Sequence, residues 1–155
     1  MSGLSNLYVH SLAKKCIQNF RSVVSSDVFS KQKLEVGDKY IVNLAKSDEK
    51  NGHFVAIIVE KNCFLYFDSY ALPCYNSFVL SAFARKPTYE IKYSKKSIQG
   101  VFSYFCGYFC ICWLICNDLN LTWRQFEDLF SQEKHYHNED VCLNIIKSYI
   151  KSTKH

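Results

Sequence analysis

Four polar side chains, widely separated along this 155-residue sequence, together offer the parts of a nucleophilic active site. They are Cys106, His53, Asp68 and Gln99. A thiol nucleophile requires a base to hold its proton, an acid to orient that base, and donors to stabilise an oxyanion. The set supplies one side chain for each requirement, and the chemistry that it predicts is attack of a thiolate on the carbonyl carbon of a peptide.

Cys106 is the predicted nucleophile because it begins the most apolar segment of the chain and is followed by Gly107. The segment CGYFCICWLICNDL predicts a helix that is apolar on all sides, as in the centre of a protein. The N-terminus of a helix carries partial positive charge, which favours a thiolate, and Gly107 leaves room for a substrate backbone. The cysteines further along this helix are interpreted as buried core residues: Cys110, Cys112 and Cys116.

His53 and Asp68 are predicted to meet across a β-hairpin. The segments HFVAIIVE and CFLYFDSY are separated only by Lys61-Asn62, and a two-residue connection between apolar strands is typical of a tight hairpin. This register places His53 opposite Tyr70 and leaves Asp68 in the diagonal position, within reach on the same face. The hairpin alone can therefore bring a carboxylate beside the imidazole.

Gln99 is the predicted donor to the oxyanion, together with the backbone N–H of Cys106. It lies seven residues before the nucleophile. Its side-chain amide carries N–H groups that can stabilise the negative oxygen formed when a thiolate attacks a carbonyl. The chemistry predicted for this set requires no cofactor.

A zinc site is the main competing interpretation of the many cysteines and histidines. The ligands would come from the apolar helix (Cys106 to Cys116) and from His135 and His137. No pair has the Cys-x-x-Cys spacing, and a helix distributes these sulfur atoms around its axis. The sequence therefore predicts no metal site, and the segment HYHNED is interpreted as an exposed loop.

The elements that position these residues follow from periodicity and capping signals. Helical spacing predicts a first helix that Ser5 caps, and the segment SSDVFSKQKLEVGD reads as a loop. Further helices are predicted from Ser77, after a capping box of Thr122 and Gln125, and after Asn138. Predicted strands outside the hairpin are Lys39–Ala45 and Thr88–Ser94. The predicted fold is α+β, with a mostly antiparallel central sheet and a buried central helix that carries the nucleophile, flanked by further helices.

The composition is that of an ordinary globular protein. Hydrophobic residues make up 48% and charged residues 21%, and the length is that of a single domain over residues 1–155. The N-terminal segment lacks the apolar core of a secretory signal, so the 8 cysteines are expected to be reduced in an intracellular protein. The charge-free segment from Val101 to Asn117 is slightly short for a membrane span. We expect a monomer without a membrane anchor.

Two segments, GHFVAIIVEKNCFLYFDSY and IQGVFSYFCGYFC, resemble the adenovirus protease family, adenain, and more distantly the SUMO- and ubiquitin-like proteases. The shared order is His, acid, Gln, Cys, and Gln-Gly is followed after five residues by Cys-Gly. The resemblance extends from about Lys39 to Asn117. This sequence departs from adenain in having Asp68 in place of Glu and Phe54 in place of Trp.

The resemblance implies an adenain-like papain-type fold and a cysteine endopeptidase in which His53 is the base, Asp68 orients it, Gln99 lines the oxyanion hole and Cys106 attacks. It implies a maturation protease of a virus or virus-like transposon of the Maverick or Polinton type, which cleaves capsid or core precursor proteins. Stimulation by DNA and by a short peptide is expected from the same resemblance. The net charge of +5 is compatible with DNA binding. The expected location is the nucleus or cytoplasm of a host cell, and the virion.

Two other functions are alternatives to viral maturation. A protease that removes ubiquitin-like or SUMO modifiers would need the same catalytic set, so the sequence discriminates poorly between this function and viral maturation. A catalytically inactive relative that serves as a structural component of a virion would not need the set, and its presence argues against that alternative.

Overall fold

A five-stranded sheet forms the centre of the computed structural model, which describes residues 5–49, 52–101 and 103–153. The strands follow one another across the sheet in chain order: β1 Phe20–Ser25, β2 Lys39–Asn43, β3 Phe54–Glu60, β4 Cys63–Phe67 and β5 Glu90–Tyr93. The helices are α1 Asn6–Cys16, α2 Ser26–Phe29, α3 Ser77–Ala84, α4 Cys106–Asp118, α5 Trp123–Glu127 and α6 His135–Thr153. The predicted α+β class is confirmed.

The sheet combines antiparallel and parallel pairs. β3 pairs antiparallel with both β2 and β4, whereas the edge strands β1 and β5 pair in parallel with their neighbours. The prediction of a mostly antiparallel sheet is thus correct for the three central strands and does not extend to the edges. The reason is that a helix, α2 or α3, lies in each connection to an edge pair and returns the chain to the same end of the sheet.

The predicted β3–β4 hairpin is confirmed with its register. Glu60 pairs with Cys63, and Ala56 pairs with Phe67. Asn62 in the turn has a positive φ of 70°, a conformation that asparagine tolerates better than most residues. Residues 53 and 68 therefore leave the ladder at the same end of the hairpin.

Both faces of the sheet are covered, so its central strands are apolar on both sides. One face packs against α4, which contacts β3, α1 and α6, and the other face packs against α2 and α3. In α4 every residue from Cys106 to Cys116 is buried except Tyr108, as predicted for a central helix. The ring of Trp113 stacks on Phe67 of β4 with 5.3 Å between centroids. No helix in the described part of the chain is long and apolar enough to span a bilayer.

The C-terminal end of α4 is anchored by a buried ion pair. Asp118 accepts a hydrogen bond from the ammonium group of Lys39, at the start of β2, and both side chains are nearly inaccessible to solvent. The other carboxylate oxygen accepts from the backbone N–H of Gln18 at 2.9 Å, and Lys39 also donates to the Gln18 carbonyl at 3.0 Å. The anchor fixes the helix to the sheet at the end remote from Cys106.

Helix boundaries confirm some of the predicted caps and correct others. Ser5 caps α1, and Thr122 forms the predicted capping box with Gln125. The segment predicted as a loop between Ser25 and Asp38 contains α2, and it is preceded by β1, which periodicity did not predict. These elements are short and depend on contacts with the sheet, which local sequence does not reveal.

The prediction for the start of the last helix is wrong. α6 begins at His135, so His135 and His137 lie in the first turn of a helix rather than in a loop. Asn138 therefore does not cap the helix. Its buried amide donates to the carbonyls of Ile98 and Ser131, which ties the helix to the segment preceding the nucleophile.

Candidate active site

His53 follows a glycine at a position that leaves no room for a side chain. A Cβ atom at Gly52 would lie 1.7 Å from Oδ1 of Asn43 and 2.7 Å from Cβ of Ala45. The carbonyl of His53 accepts a hydrogen bond from the Leu44 N–H at 2.9 Å, which continues the pairing of β2 with β3 by one step. The backbone of the predicted base is therefore fixed by the sheet itself.

Asp68 follows β4 directly and contacts His53 as the hairpin register predicts. Its Oδ1 lies 2.8 Å from Nε2 of His53, and the Tyr70 N–H donates to the same oxygen at 2.8 Å. The Ser94 hydroxyl accepts from the Asp68 N–H at 3.0 Å and donates to the Asp68 carbonyl at 2.9 Å. Asp68 is 2% exposed, so its carboxylate is held by hydrogen bonds rather than by water.

The ring of Tyr70 packs against the imidazole of His53 on the face of the hairpin predicted by the register. The ring centroids are 4.9 Å apart, and the Tyr70 hydroxyl donates to the Gly100 carbonyl at 3.4 Å. Burial, together with the nearby charges of Cys106 and Asp68, raises the pKa of the Tyr70 phenol. The contact limits rotation of the imidazole and links it to the residue that follows Gln99.

Cys106 is the first residue of α4 and lies beside His53. Burial acts to lower the pKa of His53, but hydrogen bonds to Asp68 and to the Cys106 sulfur outweigh it and raise the pKa to about 9. Since Nε2 contacts Asp68, Nδ1 is the ring nitrogen left to exchange a proton with the sulfur. The His53 side chain is 23% exposed, whereas Cys106 is 9% exposed, so the imidazole is the more accessible of the two groups.

Gln99 is buried, and its amide orientation is fixed from both sides. The Ser69 hydroxyl donates to Oε1, and Nε2 donates to the Ser103 carbonyl at 3.0 Å. The backbone N–H of Gln99 also donates to the Ser69 carbonyl at 3.2 Å. A primary amide has two N–H donors, so with one of them on Ser103 a second can serve an oxyanion.

The other cysteines differ from Cys106 in their surroundings. All eight lie in the described part of the chain, and none of them forms a disulfide. Burial raises the pKa of Cys110 well above the ordinary value, and burial also raises the pKa of Cys16, Cys63 and Cys74. Among these thiols, Cys106 is the one in contact with a histidine. Within residues 5–49, 52–101 and 103–153, no three His, Cys, Asp or Glu side chains are grouped as metal ligands.

The structure thus brings three of the predicted residues together: Asp68 is hydrogen-bonded to His53, and Cys106 lies close enough to the imidazole to affect its pKa. Gln99 is linked to this set through Gly100 and Tyr70. Sequence reasoning missed the serines that hold this set, Ser69, Ser94 and Ser103. Ser69 follows Asp68 directly, which was the only local signal for any of them.

Comparison with solved structures shows where this fold occurs elsewhere. The ASFV pS273R protease matches with a TM-score of 0.61 at 14% identity, over 92% of this chain and 67% of that chain. The central domain of the uncharacterized Lpg1148 protein from Legionella pneumophila matches with a TM-score of 0.57 at 12% identity, over 98% and 99% of the two chains. No protein-family model matches the sequence, and no curated protein matches it either.

The chain therefore shares its fold with the ASFV pS273R protease and with the central domain of Lpg1148. At 14% identity this likeness concerns the fold, and the roles of individual residues rest on the geometry described above. The fold that was expected from the adenain resemblance is confirmed.

Proposed function

We propose that this protein is a thiol-dependent cysteine protease with Cys106 as its nucleophile. The observation that carries the proposal is the chain of contacts Asp68–His53–Cys106, which places a sulfur atom at the start of a buried helix beside an imidazole held by a carboxylate. The likeness of fold to a protease supports it independently.

The first half of the reaction follows from the positions of these groups. The Cys106 sulfur, its proton transferred to His53, attacks the peptide carbonyl carbon and forms a C–S bond. The carbonyl oxygen takes the negative charge and accepts hydrogen bonds from the Cys106 N–H and the Gln99 amide. The tetrahedral intermediate collapses as the C–N bond breaks, and protonated His53 gives its proton to the departing amine.

The second half releases the thioester. Neutral His53 removes a proton from a water molecule, which attacks the acyl carbon, and the C–S bond breaks to give a carboxylic acid and Cys106. Asp68 keeps the imidazole in one orientation through both halves and stabilises its charged form.

The substrate class belongs to the same proposal. We assign as substrates the capsid or core precursor proteins of a virus or virus-like element, cleaved inside a host cell and in the virion. The support is the sequence resemblance to adenain and the likeness of fold to a protease of ASFV. The sequence resemblance also leads us to propose DNA and a short peptide as activators. The net charge of +5 is compatible with DNA binding.

The test combines selective alkylation with turnover. Iodoacetamide at neutral pH is expected to modify Cys106 well before the other cysteines, and Cys106→Ala is expected to abolish cleavage of peptides that contain Gly-Gly. Cys63→Ala, which removes a buried thiol of the hairpin, is the matched control and is expected to keep activity. Equal labelling of the cysteines, or full cleavage by Cys106→Ala, would contradict the proposal.

A second probe separates the substrate classes. Ubiquitin and SUMO carrying a C-terminal vinyl sulfone react with a thiolate that binds those modifiers. Adduct formation would indicate a deconjugating protease, whereas cleavage of precursor proteins without adduct formation would support maturation. Absence of any turnover would favour the inactive structural component.

A further inference from the structure

Ser103, three residues before the nucleophile, uses all of its polar groups in hydrogen bonds around the candidate oxyanion hole. Its N–H donates to the Gly100 carbonyl at 3.0 Å, and its own carbonyl accepts from Nε2 of Gln99 at 3.0 Å. Its hydroxyl accepts from the N–H of Phe105 at 3.2 Å. One serine therefore contacts both the residue that supplies the side-chain donor and the residue that precedes the backbone donor of Cys106.

The direction of the Ser103 hydroxyl is set from outside this segment, by Glu139 on α6. Ser103 Oγ donates to Oε1 of Glu139 at 2.6 Å. A hydroxyl has one proton, so once that proton points to the carboxylate the lone pairs are turned towards the Phe105 N–H. A hydrogen bond to a charged acceptor is stronger than a neutral one, which makes this contact the dominant tether of the hydroxyl.

α6 is itself fixed against the same segment on the other side of Gln99. Buried Asn138 donates to the Ile98 carbonyl at 3.0 Å. His135 packs on Gly100, where a Cβ atom would lie 3.4 Å from Cβ of His135. The first turns of α6 therefore contact the residues on both sides of Gln99. These contacts fix the backbone from which the Glu139 side chain reaches Ser103.

We propose that Glu139 is a positioning residue, which acts through Ser103 to hold the Gln99 amide and the Cys106 N–H in the geometry that stabilises the oxyanion. The inference rests on the proposed protease function and extends it to a residue outside the contacting set. Oxyanion donors act only when they lie within hydrogen-bond distance of the oxygen in the transition state. Loss of the tether should therefore affect the chemical step more than substrate binding.

The test compares two neighbouring acidic residues of the same helix. Glu139→Ala is expected to lower kcat for peptide hydrolysis by about 10-fold to 100-fold with little change in KM. Asp140→Ala removes an exposed carboxylate one residue away and is expected to match the wild type. Glu139→Gln keeps an acceptor oxygen for Ser103 and is expected to recover most of the lost kcat.

Two further measurements distinguish positioning from general damage. Alkylation of Cys106 by iodoacetamide forms no oxyanion, so its rate should stay at the wild-type value in Glu139→Ala. A peptide aldehyde forms a hemithioacetal whose oxygen requires the donors, so its affinity should fall in parallel with kcat. The double variant Glu139→Ala/Ser103→Ala should be no worse than Ser103→Ala, because both act through one contact.

The outcomes separate this inference from the proposed function. If the wild type hydrolyses peptides and Glu139→Ala has the same kcat as Asp140→Ala, the positioning role of Glu139 is contradicted and the protease assignment stands. If alkylation and kcat fall together in Glu139→Ala, the residue supports folding of the site rather than its donors, which also overturns the inference. A wild type that neither hydrolyses peptides nor is alkylated at Cys106 overturns both.

Discussion

The two sides of the active site are built by different means. The base and its acid lie at the ends of β3 and β4, where backbone pairing and the hairpin register fix His53 and Asp68. The oxyanion side has no strand pairing. Gln99 lies in an irregular segment held by the carbonyl and hydroxyl of Ser69, by the Ser103 carbonyl, and by side chains of α6. Backbone pairing is cooperative, whereas each side-chain contact can be lost by one substitution. The geometry of His53 and Asp68 should therefore change little when neighbouring side chains are substituted. The geometry of the oxyanion donors should change even when distant side chains are substituted.

The largest effect is expected where the comparison is simplest, at Asp68. Asp68→Asn keeps the size of the side chain but removes its negative charge and replaces one acceptor oxygen by an NH2 donor. We expect kcat/KM to fall by about 1,000-fold to 10,000-fold. The alkaline limb of the pH profile should also move down by roughly 1 to 3 pH units, because the carboxylate no longer raises the pKa of His53.

This prediction is checked by pH–rate profiles of the two proteins on one peptide. Asp27→Asn is a matched control, since Asp27 binds Ser47 at the surface, away from His53. A limb that stays in place in Asp68→Asn would show that the contact with Asp68 does not set the protonation of His53.

The next effect concerns stability and pH. The pKa of His53 is raised to about 9 in the folded protein from 6.5 for the free side chain, so the native state binds the proton more tightly. The resulting stabilisation, about 3 kcal/mol, is complete below pH 6.5 and is lost as the pH rises through about 9. Urea unfolding between pH 6 and pH 10 should show a loss of stability that is larger in the wild type than in His53→Gln by this amount, since the buried thiols contribute equally to both proteins. Equal pH dependence in the two proteins would contradict it.

Gly52 tests the backbone support of the base. Gly52→Ala places a Cβ atom against Oδ1 of Asn43 and Cβ of Ala45, so the turn before His53 must shift. We expect a loss of about 2 kcal/mol in the free energy of unfolding and a lower kcat. Gly37→Ala is an informative companion, because that glycine has open space around it but a positive φ of 98° and lies away from His53, so stability should fall without a specific loss of kcat. Unchanged kcat in folded Gly52→Ala would show that the turn does not position the base.

The smallest effect is expected on the oxyanion side, at Ser69. Ser69→Ala removes the hydroxyl that holds Oε1 of Gln99 and leaves a buried acceptor unpaired. We expect kcat to fall by about 10-fold, with iodoacetamide reactivity of Cys106 unchanged. Ser22→Ala, whose hydroxyl contacts only its neighbour's carbonyl in β1, is the control. Equal activity in both variants would show that Ser103 alone orients the amide.

The strand side of the site could be predicted because its geometry is local in sequence. A two-residue turn fixes the hairpin register, and the register alone places Asp68 diagonal to His53. The central helix could be predicted because an uncharged segment that is too short to span a membrane and too long for a typical strand is best buried as a helix. The nucleophile and Gln99 were identified by spacing and resemblance to adenain.

The rest depended on contacts between distant segments. The parallel edge strands follow from crossover connections whose direction no local pattern encodes, and the side chains of β1 do not alternate between buried and exposed. Asn138 has a side chain typical of a cap, yet its amide binds Ile98, 40 residues earlier in the chain. Ser103 and Glu139 have the sequence of ordinary polar residues, and their roles become visible only when α6 is placed beside the segment before Cys106.

The buried ion pair of Lys39 and Asp118 gives α4 a fixed pivot about 20 Å from the sulfur, since a 13-residue helix rises 1.5 Å per residue. Because α4 is held at Asp118, a small tilt of the helix axis there produces a larger sideways displacement of Cys106 at the other end. Mutations near Asp118 can therefore misalign Cys106 without touching any residue of the cleft. Residues at that remote end should tolerate less variation than their distance from the chemistry suggests.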